Sequence, residues 1–285
     1  MGNKVKVAVR MVRKVKRDLI HRVAGVPWMD VQPQDRFLFS WPRSGNTWLR
    51  HIVYHATMRG EVSGFAALEN ASPTIDALEF RKRLAWMKPL PGGLRFFKSH
   101  LPYSEYFLKG KVVYIVRDGR DSTISYYDYF RHIHRYQGSF DDFLTKTLAG
   151  RVRYGSWAHN AGSWVAHRGH PNLLLIRFED MRADPVGTAA QIFAFCGLEL
   201  SAEQVEAAVA DSSLDKVHQT FRTFRSARKT QFSGGVNSAD EADEVQPAGE
   251  KPAPRGWRNV FTPEQNRRFV AKAGPLLEQL GYDLD

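Results

Sequence analysis

The sequence is poor in cysteine. Cys196 is the only one in 285 residues, so no disulfide forms within the chain and no cysteine-rich metal site exists. It stands in Phe193-Ala-Phe-Cys-Gly197, which reads as a buried helical thiol. Long apolar runs are missing as well. Nothing approaches the ~20 residues needed to span a bilayer, and no signal-peptide core is present, so a soluble cytoplasmic protein is expected. Zinc-finger spacing and other nucleic-acid signatures are absent, and no nucleic-acid partner is expected. With 43% hydrophobic and 25% charged residues, the chain suits one globular domain, or one plus a small appendage. There is no internal repeat.

Acidic residues are scarce at the start of the chain. Residues 1–22 hold eight Lys or Arg and one acid, which places there seven of the eleven net positive charges. Val5, Ala8, Val9, Val12, Leu19, Ile20 and Val23 form a rough helical stripe. The basic segment 1–33 therefore reads either as an amphipathic arm for an anionic membrane surface or as a solvated or packed terminal helix. Met1-Gly2-Asn3 is similar to a myristoylation start, but Lys6 stands where Ser or Thr is expected.

Phe37-Leu-Phe39 reads as a short buried strand, and Trp41-Pro-Arg-Ser-Gly-Asn-Thr47 as a tight loop. From Trp48 onward Trp48, Leu49, Ile52, Val53 and Ala56 share one helical face. A strand, loop and helix start in this order turns unpaired N–H groups outward at the positive end of a helix dipole, where a phosphate binds well. Arg43 adds a permanent charge, and Ser44 and Thr47 add hydroxyl donors. By itself the stretch is either such a site or a capped turn. It also lacks two parts of a triphosphate loop. Ser40 stands at the first Walker glycine, and Asn46 follows Gly45 where the lysine belongs. No acidic Mg²⁺ holder is evident, so no metal is expected.

Further along, residues 60–91 read as loops with a short helix, with Phe80 and Trp86 as packing residues. Leu94-Arg-Phe-Phe97 reads as a strand that carries Lys98 and His100 to its carboxyl end, where ligands collect in open α/β sheets. Residues two apart on extended chain share a face. An imidazole there serves either structure or proton transfer. Lys111-Val-Val-Tyr-Ile-Val116 is the clearest strand, apolar enough to be buried on both faces. Arg117 follows it, and Asp121 or Ser122 is expected to cap the next helix, which runs through Tyr126 to Phe130. Arg117 and Ser125 can then reach one anion, or the Arg and Asp residues here form a surface salt-bridge cluster.

Residues 140–168 look helical, with Trp157 and Trp164 on one face. Leu173-Leu-Leu-Ile176 is another strand. Asp184-Pro185 opens a helix that Gly197 closes, Ser201-x-x-Gln204 is a capping box, and Thr262-Pro-Glu-Gln265 starts the last helix. The basic stretch Phe221–Thr230 either closes over a polyanion or is a solvated turn. Residues 233–256, rich in Gly, Ala, Pro and acids, read as a mobile loop. Strands alternating with helices predict an α/β fold, a parallel β-sheet flanked by helices.

Taken together, these motifs resemble the sulfotransferases that use 3′-phosphoadenosine 5′-phosphosulfate (PAPS). Trp41-Pro-Arg-Ser-Gly-Asn-Thr-Trp48 is similar to the family's 5′-phosphosulfate loop, Arg117 to Ser125 to its 3′-phosphate motif, and Lys98-Ser-His100 to its catalytic strand end. Phe178-Glu-Asp-Met181 and Trp257-Arg-Asn-x-Phe261 match later landmarks. The resemblance covers Phe37 to the last helix and implies a P-loop-like three-layer domain over 34–285. It further implies that Arg43, Ser44, Gly45, Asn46 and Thr47 hold the 5′-phosphosulfate. Trp48 and Phe221 would flank the adenine with Thr220 nearby, and Arg117 and Ser125 would bind the 3′-phosphate. His100 would take the acceptor's proton while Lys98 and Arg43 stabilise charge on the leaving oxygen. Two departures matter. Arg43 replaces the usual Lys and acts only electrostatically. The usual Arg-Lys-Gly before the late Trp is broken, which leaves Lys251 or Arg255 to meet the 3′-phosphate. The sulfuryl group carries less charge than a phosphoryl, so Mg²⁺ is not needed. The expected acceptor is a small-molecule, lipid or glycan hydroxyl or amine, with residues 60–91, 126–140 and 233–256 shaping its pocket. The alternatives are a P-loop small-molecule kinase and a non-catalytic anion-binding protein of the same fold.

Overall fold

The computed structural model describes residues 29–58, 65–77, 84, 85, 87, 89–217 and 256–285. The basic segment up to residue 28, Phe80, Trp86, Thr220, Phe221, the basic stretch after it, the expected loop at 233–256, Lys251 and Arg255 lie outside these residues, apart from Gly256 at the end of that loop.

Four strands form one parallel sheet: β1 (Asp35–Ser40), β2 (Arg95–Ser99), β3 (Lys111–Val116) and β4 (Leu173–Arg177), in the order β2-β1-β3-β4. Alternation along each strand splits the core in two. Phe37 and Phe39 of β1, with Val112, Tyr114 and Val116 of β3, pack into one apolar cluster. Leu38, Val113 and Ile115 pack into the other. Apolar residues on both faces explain the near-continuous hydrophobic runs of these strands.

Among the described residues the helices are α1 (Asn46–Met58), α2 (Phe65–Ala71), α3 (Gly119–Ile133), α4 (Phe140–Leu148), α5 (Trp157–Val165), α6 (Phe178–Ala183), α7 (Pro185–Cys196), α8 (Ala202–Asp211) and α9 (Pro263–Gln279). Helices α3, α4, α5 and α9 contribute to the first cluster, and α1, α7 and α8 to the second, which makes three layers. None of the helices among the described residues is long and apolar enough to cross a membrane.

The capping signals hold where expected. Asp184 caps α7, and Gly197 closes it in the left-handed conformation (φ 75°). Ser201 and Thr262 form reciprocal capping boxes with Gln204 and Gln265. Cys196 is fully buried, and burial pushes its thiol up to about 12.

Three local expectations are corrected. Residues 140–168 are not one helix, because Gly150 (φ 69°) and Gly155 (φ 73°) adopt left-handed backbone between α4 and α5 and Ser156 starts a new cap. Neither Asp121 nor Ser122 caps α3. Asp118 does, accepting from the Arg120 N–H, while Asp121 instead accepts the Trp257 N–H at 2.8 Å. Strand β2 extends to Ser99, so Lys98 lies within it and only His100 stands beyond its end.

Candidate active site

Strand β1 has β2 on one side and β3 on the other, so the chain changes direction across the sheet between β1 and β3. Ligands of open α/β sheets bind at such a point, beyond the carboxyl ends of the strands. The loop after β1 and the turn after β3 both open there.

In the first loop Arg43 (φ 65°) and Gly45 (φ 101°) have left-handed backbone. That conformation is uncommon for arginine and marks a shaped loop. Gly45 is required twice over. Its φ disfavours a side chain, and a Cβ would lie 2.4 Å from Phe178 Cδ2. The first turn of α1 carries no acid, so the positive end of the helix faces the loop uncancelled.

The second turn meets the first directly. Arg43 Nε donates to Ser125 Oγ on α3 at 3.0 Å, and Arg117 Nη1 donates to the Arg43 carbonyl at 3.3 Å. Ser44 Oγ and Ser122 Oγ are 3.3 Å apart. The Arg117 guanidinium stacks over the Phe178 ring at 4.9 Å, and Phe178 touches Trp48 edge to face at 6.1 Å. The two motifs expected to bind an anion thus meet in a single cationic cluster. Burial pushes the Asp121 carboxyl up from its usual range, and the nearby Arg117 opposes that rise.

The cationic loop is held by a second set of contacts behind it. Asp118 takes a bidentate ion pair from the buried Arg120, whose guanidinium lies 3.6 Å over Trp257 and also reaches the carbonyls of Asp283 and Leu284. The Asp118 N–H donates to Glu179 Oε1, and Tyr282 donates to Glu179 Oε2. The acids around Arg117 are therefore engaged elsewhere.

On the β2 side His100 is buried (1% exposed), and its Nδ1 lies 2.7 Å from the Ser40 carbonyl at the end of β1. A carbonyl only accepts, so Nδ1 carries the proton and Nε2 is the basic nitrogen. Ser40 Oγ lies 3.3 Å from the same Nδ1. Lys98 is also buried, paired in the sheet with Leu38 and bridged on its other side to Thr74.

Not every expected site residue points the same way. The Asn46 amide turns inward and donates to the Leu38 carbonyl at 2.8 Å, so its side chain is spent on the strand behind the loop. Trp48 is 7% exposed, and its indole N–H donates to the Ser212 carbonyl. Thr47 is half-buried in the first turn of α1.

The reading of the sequence gave no site role to Ser40, Ser122, Tyr154 or Phe178. A small residue at the Walker-glycine position and an aromatic residue directly after a strand were the signals available for Ser40 and Phe178. Nothing local marked Tyr154.

These residues fit a doubly anionic nucleotide. Fixed arginines, hydroxyl donors and a helix start converge, and an aromatic ring lies beside them. Comparison with known proteins agrees. A family model described as "Sulfotransferase domain" matches residues 33–281. Sulfotransferase 1A1 of Canis lupus familiaris is 30% identical over 268 residues, covering 88% of this chain and 85% of that protein. Sulfotransferase 1A1 of Rattus norvegicus is 29% identical over 257 residues, covering 84% and 83%. In fold, the chain is similar to mouse sulfotransferase SULT7A1 complexed with PAP (24% identity, TM-score 0.64, 88% and 90% covered). It is also similar to retinol dehydratase in a complex with retinol and PAP (20% identity, TM-score 0.61, 93% and 85% covered).

Proposed function

This chain belongs to the sulfotransferase domain family and is a PAPS-dependent sulfotransferase, and from that premise we propose how its residues divide the work. PAPS supplies the sulfuryl group, with adenosine 3′,5′-bisphosphate (PAP) left behind. Arg43 and the backbone N–H groups from Ser44 to Thr47 hold the 5′ end. Arg117 and Ser125 hold the 3′-phosphate, with Lys251 or Arg255 as the further contact. Trp48, Thr220 and Phe221 attend the adenine.

His100 Nε2 takes the proton from the acceptor hydroxyl or amine. Lys98 and Arg43 stabilise the charge that grows on the leaving oxygen, and fixed cations of this kind favour the transition state over the ground state. Positioning and electrostatics dominate such in-line displacements. The observation that carries this reading is Ser40. Its carbonyl fixes the His100 tautomer, and Ser40 stands three residues before Arg43 on the same strand end, which couples the base to the donor loop.

The acceptor in this reading is a small-molecule, lipid or glycan hydroxyl or amine. Aromatic residues on α3 and after it, among them Tyr127, Phe130 and Tyr136, pack around Phe143 and suit an apolar ligand nearby. Retinol dehydratase, of similar fold, is known with retinol and with androsterone bound. The basic segment at the start of the chain is the candidate for peripheral membrane contact.

Isothermal titration with PAP, compared with ATP plus Mg²⁺, tests the donor site. We expect PAP to bind and Arg117→Ala to weaken the binding by about 10–100-fold. Preference for ATP with Mg²⁺ would overturn the assignment. The catalytic part is tested by His100→Ala, which is expected to lose turnover and keep PAP binding. Retained turnover would remove His100 from its role.

A further inference from the structure

The segment after α2 and the loop before α5 meet behind His100, and neither belongs to the donor site. Thr74 forms a parallel bridge with Lys98, in which the Lys98 N–H donates to the Pro73 carbonyl and the Ile75 N–H to the Lys98 carbonyl. That bridge carries Asp76 to the end of β2. The Asp76 side chain is 4% exposed. Its Oδ1 accepts from Ser99 Oγ at 3.0 Å, and Ser99 Oγ in turn accepts the Leu101 N–H at 3.1 Å. Its Oδ2 accepts from the Tyr154 hydroxyl at 2.5 Å, with the Arg153 guanidinium 3.8 Å away.

Tyr154 is the other half of the arrangement. Its ring stands edge to face against the His100 imidazole, with centroids 5.1 Å apart. Asn160 closes the circuit. Its Nδ2 donates to the His100 carbonyl at 2.8 Å and to the Tyr154 carbonyl at 3.3 Å, and its Oδ1 accepts the Tyr114 hydroxyl at 2.8 Å. Asp76 therefore grips both sides of His100, namely the turn that carries its backbone and the ring that packs on its side chain.

We propose that Asp76 is a positioning residue for His100, acting through Tyr154 and Ser99 to hold the imidazole against the Ser40 carbonyl with Nε2 basic. The inference rests on the reading of His100 as the proton acceptor. A charged acceptor makes a shorter and stronger hydrogen bond with a hydroxyl than a neutral one does, so a carboxylate is suited to fixing the Tyr154 ring. Rigid support of this sort matters because small misplacements of a catalytic group lose large factors in rate.

The test compares Asp76→Asn, Tyr154→Phe and the double variant with wild type, all saturated with PAP. Nitrogen NMR of labelled histidine, with His100 assigned through His100→Gln, reports the tautomer without any acceptor. Wild type should show one tautomer with the proton on Nδ1. Tyr154→Phe keeps the ring but loses its tether, and should mix the tautomers, as should Asp76→Asn. With an acceptor that wild type turns over, each single variant should lose about tenfold in kcat, with PAP affinity within twofold of wild type. The double variant should lose no more than either single one.

An unchanged His100 spectrum with full kcat in Tyr154→Phe, the milder change, would overturn the proposal. So would losses in the two single variants that multiply in the double one. If His100→Ala itself keeps its turnover, the proton-acceptor reading fails first. If His100→Ala is inactive while both tether variants are fully active, only the positioning role fails.

Discussion

Arg43 Nε lies 3.0 Å from Ser125 Oγ, although 82 residues separate them. This contact joins the loop after β1 to the helix after β3 and makes one site of two motifs. It also predicts that the two motifs act together on the nucleotide. Arg117→Ala is expected to weaken PAP binding by about 10–100-fold, the range for a lost hydrogen bond to a charged group. Ser125→Ala removes a neutral donor and should weaken it by about tenfold or less. Titration calorimetry reads both, and unchanged affinity in Arg117→Ala would place the phosphate elsewhere.

Gly45→Ala should be damaging on two counts. The new Cβ lies 2.4 Å from the Phe178 ring, and φ of 101° disfavours any side chain. Strain of this kind costs on the order of 1–3 kcal/mol. Thermal unfolding should show a lowered Tm, and PAP binding should fall because Phe178 also supports Arg117. Adding Phe178→Ala should return part of the lost Tm, since it removes the ring that the methyl meets. A Gly45→Ala protein with wild-type Tm and affinity would contradict the loop geometry.

Glu69 is the anchor of the segment that bridges Lys98. It pairs with the fully buried Arg50 at 2.7 Å and accepts from both the Thr74 N–H and the Thr74 hydroxyl. Glu69→Ala leaves a buried guanidinium without its carboxylate, which typically costs about 3–5 kcal/mol. Urea unfolding should show that loss. Because Thr74 pairs with Lys98, turnover should decline along with stability.

Cys196 gives a pH dependence of known sign. Burial raises its thiol to about 12 in the folded chain, so the folded state disfavours the thiolate. The stabilising contribution is fully present below the ordinary thiol range near 8.5 and is lost as pH rises from there towards 12, by at most about 1.4 kcal/mol per pH unit. The buried hydroxyls of Tyr114 and Tyr282 are pushed up as well and add the same trend at higher pH. Cys196→Ala should be less stable than wild type at pH 7 because it leaves a cavity, and the gap should narrow by pH 10. A gap that widens with pH would reverse the sign argued here. A thiol reagent should label the native chain far more slowly than the unfolded one.

Local signals in the sequence carried much of this protein. The apolar runs at Phe37 and Lys111 marked β1 and β3, because a strand covered on both faces needs no polar alternation. Asp184, Ser201 and Thr262 marked helix starts, because a cap is a bond between near neighbours. The same locality explains the misses. Two glycines split residues 140–168 by adopting a conformation that composition alone does not announce. Asp118 took the cap because the helix starts at Gly119, and Asp121 inside it accepts from Trp257 at the far end of the chain.

The candidate site residues were also legible one by one. Arg43, Lys98, His100, Arg117 and Ser125 sit in short motifs whose spacing is chemical information. What only the tertiary structure decided is how they meet. The parallel order β2-β1-β3-β4 brings three strand ends to one edge, and with them Arg43 to Ser125 and His100 to Ser40. Asp76 and Tyr154 became visible only there. Their partners are 23 and 78 residues from Asp76, and no periodicity or spacing encodes a contact that the folding of the sheet creates.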